Sequence, residues 1–212
     1  MVDSDLAYLV GALRDGSVFY DRAARNYNVI WYSKFKEYLE SSIKPRAERS
    51  FDKTGRLEMY KPGHWRYKLS GLSTYNYIRS TFEFPSSPLG QVVWNTPSAI
   101  KDAGQEAKIY FLKGVFDAEG DVSLPNKYVE VSQKNTDLLW WAKRTLAKLG
   151  IPGGRVVVAD RDSMTCKIVV ASKSGVRDFA QCAGFERPEK KTQLAALMEL
   201  LKDYDKPPDS RQ

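Results

Sequence analysis

Two stretches of this chain resemble one another, and this internal repeat narrows the choice of folds more than any other feature. The segment LAYLVGALRDGSV occupies positions 6–18, and IYFLKGVFDAEGDV occupies positions 109–122. Each combines an apolar helical stretch with an acid, a glycine and a β-branched residue, and the acids Asp15 and Glu119 are 104 positions apart. Similar segments at a fixed offset are typical of a repeated structural unit. The sequence therefore predicts two similar halves.

The segments that follow each copy are also of the same type. After the first copy come a hairpin pattern (SVFYDRAARNYNVIWYS), a helical pattern (KFKEYLESSI), a basic, turn-rich β pattern (RAERSFDKTGRLEMYKPGHWRYKLSG) and another helical pattern (STYNYIRSTF). After the second copy come DVSLPNKYVEVSQ, NTDLLWWAKRTLAKLG, GRVVVADRDSMTCKIVVAS and KSGVRDFAQCAG. The predicted order is αββαββα, twice, in an α+β fold.

A stretch with several prolines separates the two halves. The segment FPSSPLGQVVWNTPSAIKDAGQEA contains Pro85, Pro88 and Pro97 among small polar residues, a composition typical of a connection. We therefore predict an N-terminal half at 1–84, a linker at 85–105, a C-terminal half at 106–204 and a frayed tail at 205–212.

Charge and composition restrict the class of protein. Lys and Arg total 33 against 26 for Asp and Glu, and the resulting net charge of +7 favours a polyanionic partner. Cys166 and Cys182 lack CxxC spacing and His64 is the sole histidine, which argues against a disulfide framework or a structural zinc site. The acidic N-terminus and the lack of a long apolar run predict a cytoplasmic, nucleoid-associated protein that is neither secreted nor bound to a membrane.

Small residues recur at helical spacing in both copies. Ala7 and Gly11 are four positions apart, as are Gly114 and Ala118, so each helix has a face on which a second helix can approach closely. Two ordinary core helices would also account for the glycines.

The acids favour the closer arrangement. If the two helices pack side by side and run in parallel, Asp15 and Glu119 end next to one another. Two neighbouring carboxylates repel unless they bind cations, and hard oxygen ligands of this kind suit Mg²⁺.

The second copy, FLKGVFDAEGDV, and less closely the first, YLVGALRDGSV, resemble the motifs of the single-chain LAGLIDADG homing endonucleases. The order of elements, the repeat and the stretch SQKNTDLLWWAKRTLAKLGI extend the resemblance over nearly the whole chain. The first copy departs from the pattern, because Gly11 lies four residues before its acid whereas Gly114 lies five before Glu119. In addition, Arg14 stands where the second copy has Ala118.

The resemblance implies pseudo-two-fold halves with two packed central helices and antiparallel β saddles that grip DNA. It implies a monomeric, Mg²⁺-dependent enzyme that makes a double-strand break in a long double-stranded DNA site. Asp15 and Glu119 would bind two or more divalent ions, which activate water and stabilise the leaving oxygen. A residue at each junction between strand and helix would stand near the attacking water. Lys173 is the catalytic candidate in the second half, and Lys68 or Thr74 are weaker candidates in the first.

The β segments carry much of the charge that DNA binding requires. A twisted β ribbon fits the major groove, where Arg and Lys read guanine and Gln reads adenine, although most such residues contact phosphates or solvent. The predicted DNA-binding residues are Arg22, Arg25, Arg56, Lys61, Arg66, Lys68, Lys127, Gln133, Lys134, Arg155, Arg161 and Lys167. We expect the aromatic residues Trp65, Tyr67, Trp140 and Trp141 to pack in the interior rather than stack on bases.

A non-cleaving function is the alternative: an RNA maturase of an intron, or a DNA-binding regulator with the same fold. The two acids discriminate between these functions, because a protein that only binds nucleic acid gains nothing from carboxylates directed at phosphates.

Overall fold

The computed structural model describes residues 2–85, 93–151, 154–160 and 164–202. The first half contains α1 (Ser4–Ala12), β1 (Gly16–Asp21), β2 (Asn26–Ser33), α2 (Lys36–Tyr38), α3 (Lys44–Phe51), β3 (Arg56–Lys61), β4 (His64–Ser70) and α4 (Leu72–Thr81). After the short α5 (Ser98–Lys101), the second half contains α6 (Gln105–Glu119), β5 (Gly120–Ser123), β6 (Tyr128–Gln133), α7 (Thr136–Lys148), β7 (Arg155–Asp160), β8 (Thr165–Val170), α8 (Lys173–Cys182) and α9 (Pro188–Lys202).

The two sheets have the same topology, which confirms the predicted duplicated α+β fold. Their strand orders are β1-β2-β4-β3 and β5-β6-β8-β7, with all neighbours antiparallel. Each sheet begins directly after a motif acid, with Gly16 paired to Trp31 and Gly120 paired to Val131. Buried apolar side chains from both halves form one continuous core.

Buried and more exposed side chains alternate along the strands, so each sheet has two different faces. In the first sheet Val29, Trp31, Tyr67 and Leu69 are almost completely buried, as expected for the face that covers the helices. The opposite face carries the row formed by Arg56 and its cross-strand neighbours Lys68, Ile30 and Ser17. The register thus places the core residues on one face and the cations Arg56 and Lys68 on the other, where Ile30 is apolar and almost completely buried.

The central helices α1 and α6 pack through two glycines. A Cβ on Gly11 would lie 2.2 Å from the carbonyl oxygen of Phe111, and one on Gly114 would lie 2.2 Å from that of Tyr8. No side chain fits at such distances, so the close helix interface predicted from the small residues is confirmed.

A 3-10 turn compensates for the shorter first motif. After α1, residues Leu13–Asp15 form a 3-10 helix, whereas α6 remains α-helical to Glu119. One α-helical step and three 3-10 steps advance the chain from Gly11 to Asp15 by about 7.5 Å, and five α-helical steps advance it from Gly114 to Glu119 by about the same distance. The missing residue therefore does not displace the first acid along the interface.

Two features of the fold differ from the sequence prediction. The segment 46–51, predicted as part of a β stretch, belongs to α3, because Pro45 sits in the first turn of that helix, where a proline is tolerated. A π-helical turn, Leu39–Ile43, joins α2 to α3. The second half also has an additional helix, α9, for which we made no prediction. None of the helices in the described ranges is long and apolar enough to cross a bilayer.

Candidate active site

The two motif acids stand together where the central helices end. Asp15 closes the 3-10 turn after α1, and Glu119 is the last residue of α6. The Asp15 side chain is largely open to solvent and Glu119 is half-buried. Even so, the surrounding protein removes enough water to raise the pKa of both carboxyls, and the charge of Asp15 raises the pKa of Glu119 further. A carboxyl whose ionisation is disfavoured by burial and by a neighbouring carboxylate provides favourable electrostatics for binding a cation.

Gln133 supports Glu119. It follows Val129 and Val131 at alternate positions of β6, so it lies on the inner face of its sheet, and its side chain is only 8% exposed. Its amide makes a hydrogen bond to Glu119 that lowers the pKa of this carboxyl and partly offsets the effect of burial. Gln133 was predicted to recognise adenine. This position turns it away from the outer face and does not favour that role.

Lys190 of α9 brings a positive charge to the same end of α6. Its Nζ donates hydrogen bonds to the carbonyl oxygens of Phe116, at 3.0 Å, and Asp117, at 2.6 Å. These contacts satisfy carbonyls in the last turn of the helix. Burial, followed by the charge of Arg187, lowers the pKa of Lys190 to about 8. The Lys190 charge in turn opposes the increase in pKa of both Asp15 and Glu119.

Arg187 joins the two halves beside Asp15. Its guanidinium donates to the Asp117 carbonyl oxygen at 2.8 Å and to Ser33 Oγ, at the end of β2, at 3.2 Å. It also lies over the ring of Tyr38, 5.1 Å from the centroid. The charge of Arg187 opposes the increase in the pKa of Asp15, and it does so more than the charge of Lys190. Neither Arg187 nor Lys190 was identified from the sequence, because both resemble ordinary surface cations at the start of a helix.

Asp117 has a structural position within the motif. It is completely buried, and its carboxylate accepts hydrogen bonds from the Tyr8 hydroxyl at 2.7 Å and from the backbone N–H groups of Glu186 and Arg187 at 3.0 and 3.1 Å. The segment before α9 is thereby attached to α6. Asp117 thus holds the two cations near the metal-binding candidates without facing solvent itself.

The predicted junction residues lie elsewhere. Lys173 is the first residue of α8 and follows the C-terminal end of β8 by three residues. Gln133, which contacts Glu119, pairs with Cys166 of β8. From Cys166 the strand continues for four residues to Val170, and at 3.3 Å per residue this places Val170 about 13 Å from Cys166. This position does not bring Lys173 to the acids, so its catalytic role stays a prediction that the geometry does not support.

The first-half junction is occupied by a residue that we did not predict. Lys53 Nζ donates a hydrogen bond to the Ser70 carbonyl oxygen and lies against Gly71. Thr74 is buried in α4, and Lys68 lies on the outer face of β4, 3.9 Å from Glu58. Neither of these two candidates is brought to the acids.

Several predicted DNA-binding residues form a charged cluster on the first sheet. Glu58 makes ion pairs with Arg56 at 2.7 Å and Arg66 at 2.6 Å, and Lys68 stands nearby. One carboxylate thus holds three cations on the outer face. On the second sheet Lys167 pairs with Glu130 at 2.7 Å.

The other predicted DNA-binding residues lie mainly in turns. Arg22 and Arg25 are exposed between β1 and β2, Lys61 is exposed at the end of β3, Lys127 precedes β6 and Lys134 follows it. Arg155 begins β7, and Arg161 lies outside the described residues.

The aromatic residues divide into buried and exposed groups. Tyr67 and Trp141 are buried in the core and Trp65 is half-buried, as expected, whereas Trp140 is 46% exposed. Trp140 therefore departs from the expectation of interior packing.

The donor set fits a hard divalent cation. In the described ranges no cluster of three or more His, Cys, Asp or Glu side chains is present, so Asp15 and Glu119 stand as a pair. Mg²⁺ in proteins is commonly held by one or two carboxylates together with water and substrate phosphates. The site thus suits an ion whose coordination is completed by a phosphate-bearing substrate, and it does not suit zinc.

Comparison with known proteins identifies relatives of this chain. The family model of the LAGLIDADG-like domain matches residues 106–184. The homing endonuclease I-ApeI of Aeropyrum pernix is 35% identical over 196 residues, which cover 91% of this chain and 86% of the relative.

Two solved structures establish the likeness of the fold. The structure of I-DmoI in complex with DNA and Ca matches with a TM-score of 0.69 and 18% identity, covering 91% of this chain and 97% of that one. The N-terminal LAGLIDADG domain of DUF199/WhiA matches with a TM-score of 0.56 and 12% identity, over 90% of this chain and 86% of that one.

Proposed function

The chain belongs to the LAGLIDADG homing endonuclease family, and we propose that it is a site-specific endonuclease that cuts both strands of a long DNA target with divalent metal ions. The observation that carries this proposal is the pairing of Asp15 and Glu119, one from each half, at the end of the Gly11–Gly114 interface. Each half contributes one acid, so each half could direct cleavage of one of the two strands of a duplex.

The carboxylates and their neighbours have complementary tasks. Asp15 and Glu119 would hold the metal ions, and a bound divalent ion would supply the positive charge that phosphodiester hydrolysis requires. Gln133 fixes the orientation of the Glu119 carboxylate. Lys190 and Arg187 add fixed positive charge at the same end of α6, where DNA phosphates would approach. Water is the nucleophile, so no nucleophilic side chain is required.

The outer faces of the two sheets would hold the duplex. The Glu58 cluster holds the half-buried Arg66 by an ion pair and a hydrogen bond, and it places the exposed Arg56 beside it on the first sheet. A fixed guanidinium favours bidentate contacts to phosphate or guanine. We further propose that one chain, acting as a monomer in the cytoplasm, is sufficient, because it already contributes both acids.

The acids favour cleavage over the non-cleaving alternative. A maturase or regulator that only binds nucleic acid would carry the electrostatic cost of two adjacent carboxylates near phosphates without any benefit. Mg²⁺ is the proposed physiological cofactor, because a site with only two carboxylates, completed by water and substrate phosphates, is typical of Mg²⁺, whereas Ca²⁺ usually takes more protein oxygen ligands.

A cleavage selection tests the proposal. The protein is incubated in Mg²⁺ with circular plasmids that carry randomised inserts, and linearised molecules are recovered and sequenced. We expect one family of long target sequences, cut on both strands, and no products from the Asp15→Asn/Glu119→Gln double variant. Glu106→Gln, an exposed acid at the opposite end of α6, is the matched control and should cleave normally. Binding of DNA or RNA by the wild-type protein without any cleavage would contradict the proposal.

A further inference from the structure

The middle of the predicted linker is anchored to the first half. We refer to Trp94, Asn95 and Thr96 as the linker clasp. The Trp94 side chain is 1% exposed, and its indole N–H donates to the Phe82 carbonyl oxygen at 2.7 Å. Its ring packs against Phe84, with 4.6 Å between the centroids. This part of the predicted linker is therefore a packed element of the structure.

The same clasp is bound to the second half. Asn135, the N-cap of α7, donates from its amide to Asn95 Oδ1 at 3.0 Å. The Thr96 backbone N–H donates to Asp137 Oδ2, also at 3.0 Å. The clasp consequently spans the boundary between the halves at the beginning of α7.

Arg14 connects this clasp to the candidate metal site. Its guanidinium donates to the Trp94 carbonyl oxygen at 2.6 Å and to the Asn95 carbonyl oxygen at 3.3 Å, and it lies 4.2 Å from the centroid of the Trp94 ring. The side chain is 2% exposed, yet it immediately precedes the exposed Asp15. Its charge also lies close enough to Glu119 for the two groups to affect each other's pKa.

An arginine is an unexpected choice for packing alone. Burying a guanidinium costs hydration, and an apolar side chain of similar volume often stabilises a protein core equally well. The planar fork of arginine, however, can hold two carbonyl groups while its charge remains beside a carboxylate. The corresponding residue of the second motif is Ala118, so this link exists in the first half alone.

We propose that Arg14 is a positioning residue: through the linker clasp, and with its own charge beside Glu119, it fixes Asp15 against Glu119 across the boundary of the halves before DNA and metal bind. This inference rests on the proposed endonuclease function. It assigns to the linker a part in holding the two acids in their relative positions, in addition to its role as a connection.

Arg46 provides a matched control. It is also an arginine between the halves: it contacts Glu186 of the second half at 2.8 Å and lies over the Tyr8 ring at 4.4 Å. It further pairs with Asp5, near the beginning of α1 and away from the acids. Arg46→Met therefore removes a comparable contact between the halves without touching the linker clasp.

The experiment compares Arg14→Met, Arg14→Lys and Arg46→Met. For Arg14→Met we expect single-turnover cleavage to fall by about 10-fold to 100-fold, as for other displacements of reacting groups. DNA affinity in Ca²⁺ should remain near the wild-type value, and amide exchange should increase at Trp94–Thr96. Arg14→Lys should recover part of the rate, because it retains the charge. Arg46→Met should lower the thermal midpoint and lose much less of the cleavage rate than Arg14→Met.

Two outcomes would overturn the inference. One is wild-type cleavage by Arg14→Met, and the other is an equal loss of rate in Arg46→Met, which would make general destabilisation the cause. Failure of the endonuclease proposal itself is recognised separately, because the wild-type protein would then cleave nothing. In that case the increase in thermal midpoint caused by Ca²⁺ still tests Arg14, and it should be smaller in Arg14→Met than in the wild type.

Discussion

Gly11 and Gly114 face one another across the central helices, and each occupies the space that a side chain on the other helix would need. A Cβ on either glycine would lie 2.2 Å from a carbonyl oxygen of the opposite helix. This contact brings the helix ends together, and with them Asp15 and Glu119. The catalytic proposal therefore depends on an interface that only glycine permits.

Gly114→Ala should destabilise the protein strongly, because the added methyl group meets rigid backbone. We expect a loss of about 3 kcal/mol or more in the free energy of unfolding, at or above the usual cost of overpacking. Chemical denaturation measures this difference. Gly104→Ala is the control, since a Cβ there meets nothing within 4 Å. Its effect should stay within about 1 kcal/mol, the cost of a poorer N-cap. Equal stability of the two variants would contradict the packing argument.

Glu119→Gln should abolish cleavage while the fold is preserved. The substitution retains the size of the side chain and removes the charge that attracts a divalent ion, so we expect cleavage in Mg²⁺ to fall by orders of magnitude. DNA affinity without metal should stay equal or increase, because a repulsive charge near the phosphates is lost. Asp15→Asn should behave in the same way. Cleavage assays, together with affinity measured in Ca²⁺, separate binding from chemistry, and near-native cleavage would exclude Glu119 as a metal ligand.

Asp117→Asn should show the opposite profile, although Asp117 belongs to the same motif. Its carboxylate accepts hydrogen bonds from Tyr8, Glu186 and Arg187 in a buried site. Loss of a charged acceptor there should lower the free energy of unfolding by about 1–3 kcal/mol. A thermal melt measures this loss, and addition of Ca²⁺ should still stabilise the variant. A variant that melts like the wild type would show that Asp117 does not anchor the segment before α9.

The duplication could be predicted from the sequence because it depends on local patterns. Each copy of the motif can be recognised within a short stretch of sequence. That stretch contains the helical pattern, the glycine (Gly11 or Gly114) and the acid, and the elements that follow have their own local patterns. The helix through Pro45 could not be predicted, since proline is compatible both with a helix end and with the first turn of a new helix.

The surroundings of the acids depend on tertiary contacts that the sequence does not reveal. Lys190 and Arg187 are buried where Asp117 attaches the segment before α9 to α6. The inward position of Gln133 follows from the strand register, in which a shift of one residue would reverse the face. For the same reason the linker clasp and its link to Arg14 could not be predicted from composition, which indicated only a proline-rich connection.

DNA binding should weaken steeply with salt, and Arg22 and Arg25 should contribute to this dependence. Both side chains are exposed in the turn between β1 and β2. Each phosphate contact contributes a slope of about −0.9 to the plot of log K against log salt, so a double alanine variant should reduce the magnitude of the slope by up to about 1.8. Fluorescence anisotropy with a duplex target measures the slope. Arg49→Ala, an exposed arginine paired with Asp5 on the helical side, should leave the slope unchanged.

Without divalent ions, the acid pair should make stability depend on pH in a defined direction. The pKa values of Asp15 and Glu119 are raised in the folded protein, mainly because the surrounding protein displaces water from around the two carboxyls. A folded state that binds protons more tightly than the unfolded state is most stable below the ordinary carboxyl pKa near 4, and it loses that stability as the pH rises through the folded pKa values.

The measured quantity is the difference in free energy of unfolding between the wild type and the Asp15→Asn/Glu119→Gln variant, since other carboxyls contribute equally to both. Glu58, whose pKa is lowered by its cations, is one such group and cancels in the difference. As the pH rises from about 4 to 7, the double variant should become progressively more stable relative to the wild type. Addition of Ca²⁺ at pH 7 should reverse the order, because only the wild type then binds the ion and gains stability from it. A difference that is independent of pH and unaffected by Ca²⁺ would show that the two carboxylates neither repel one another nor share a cation.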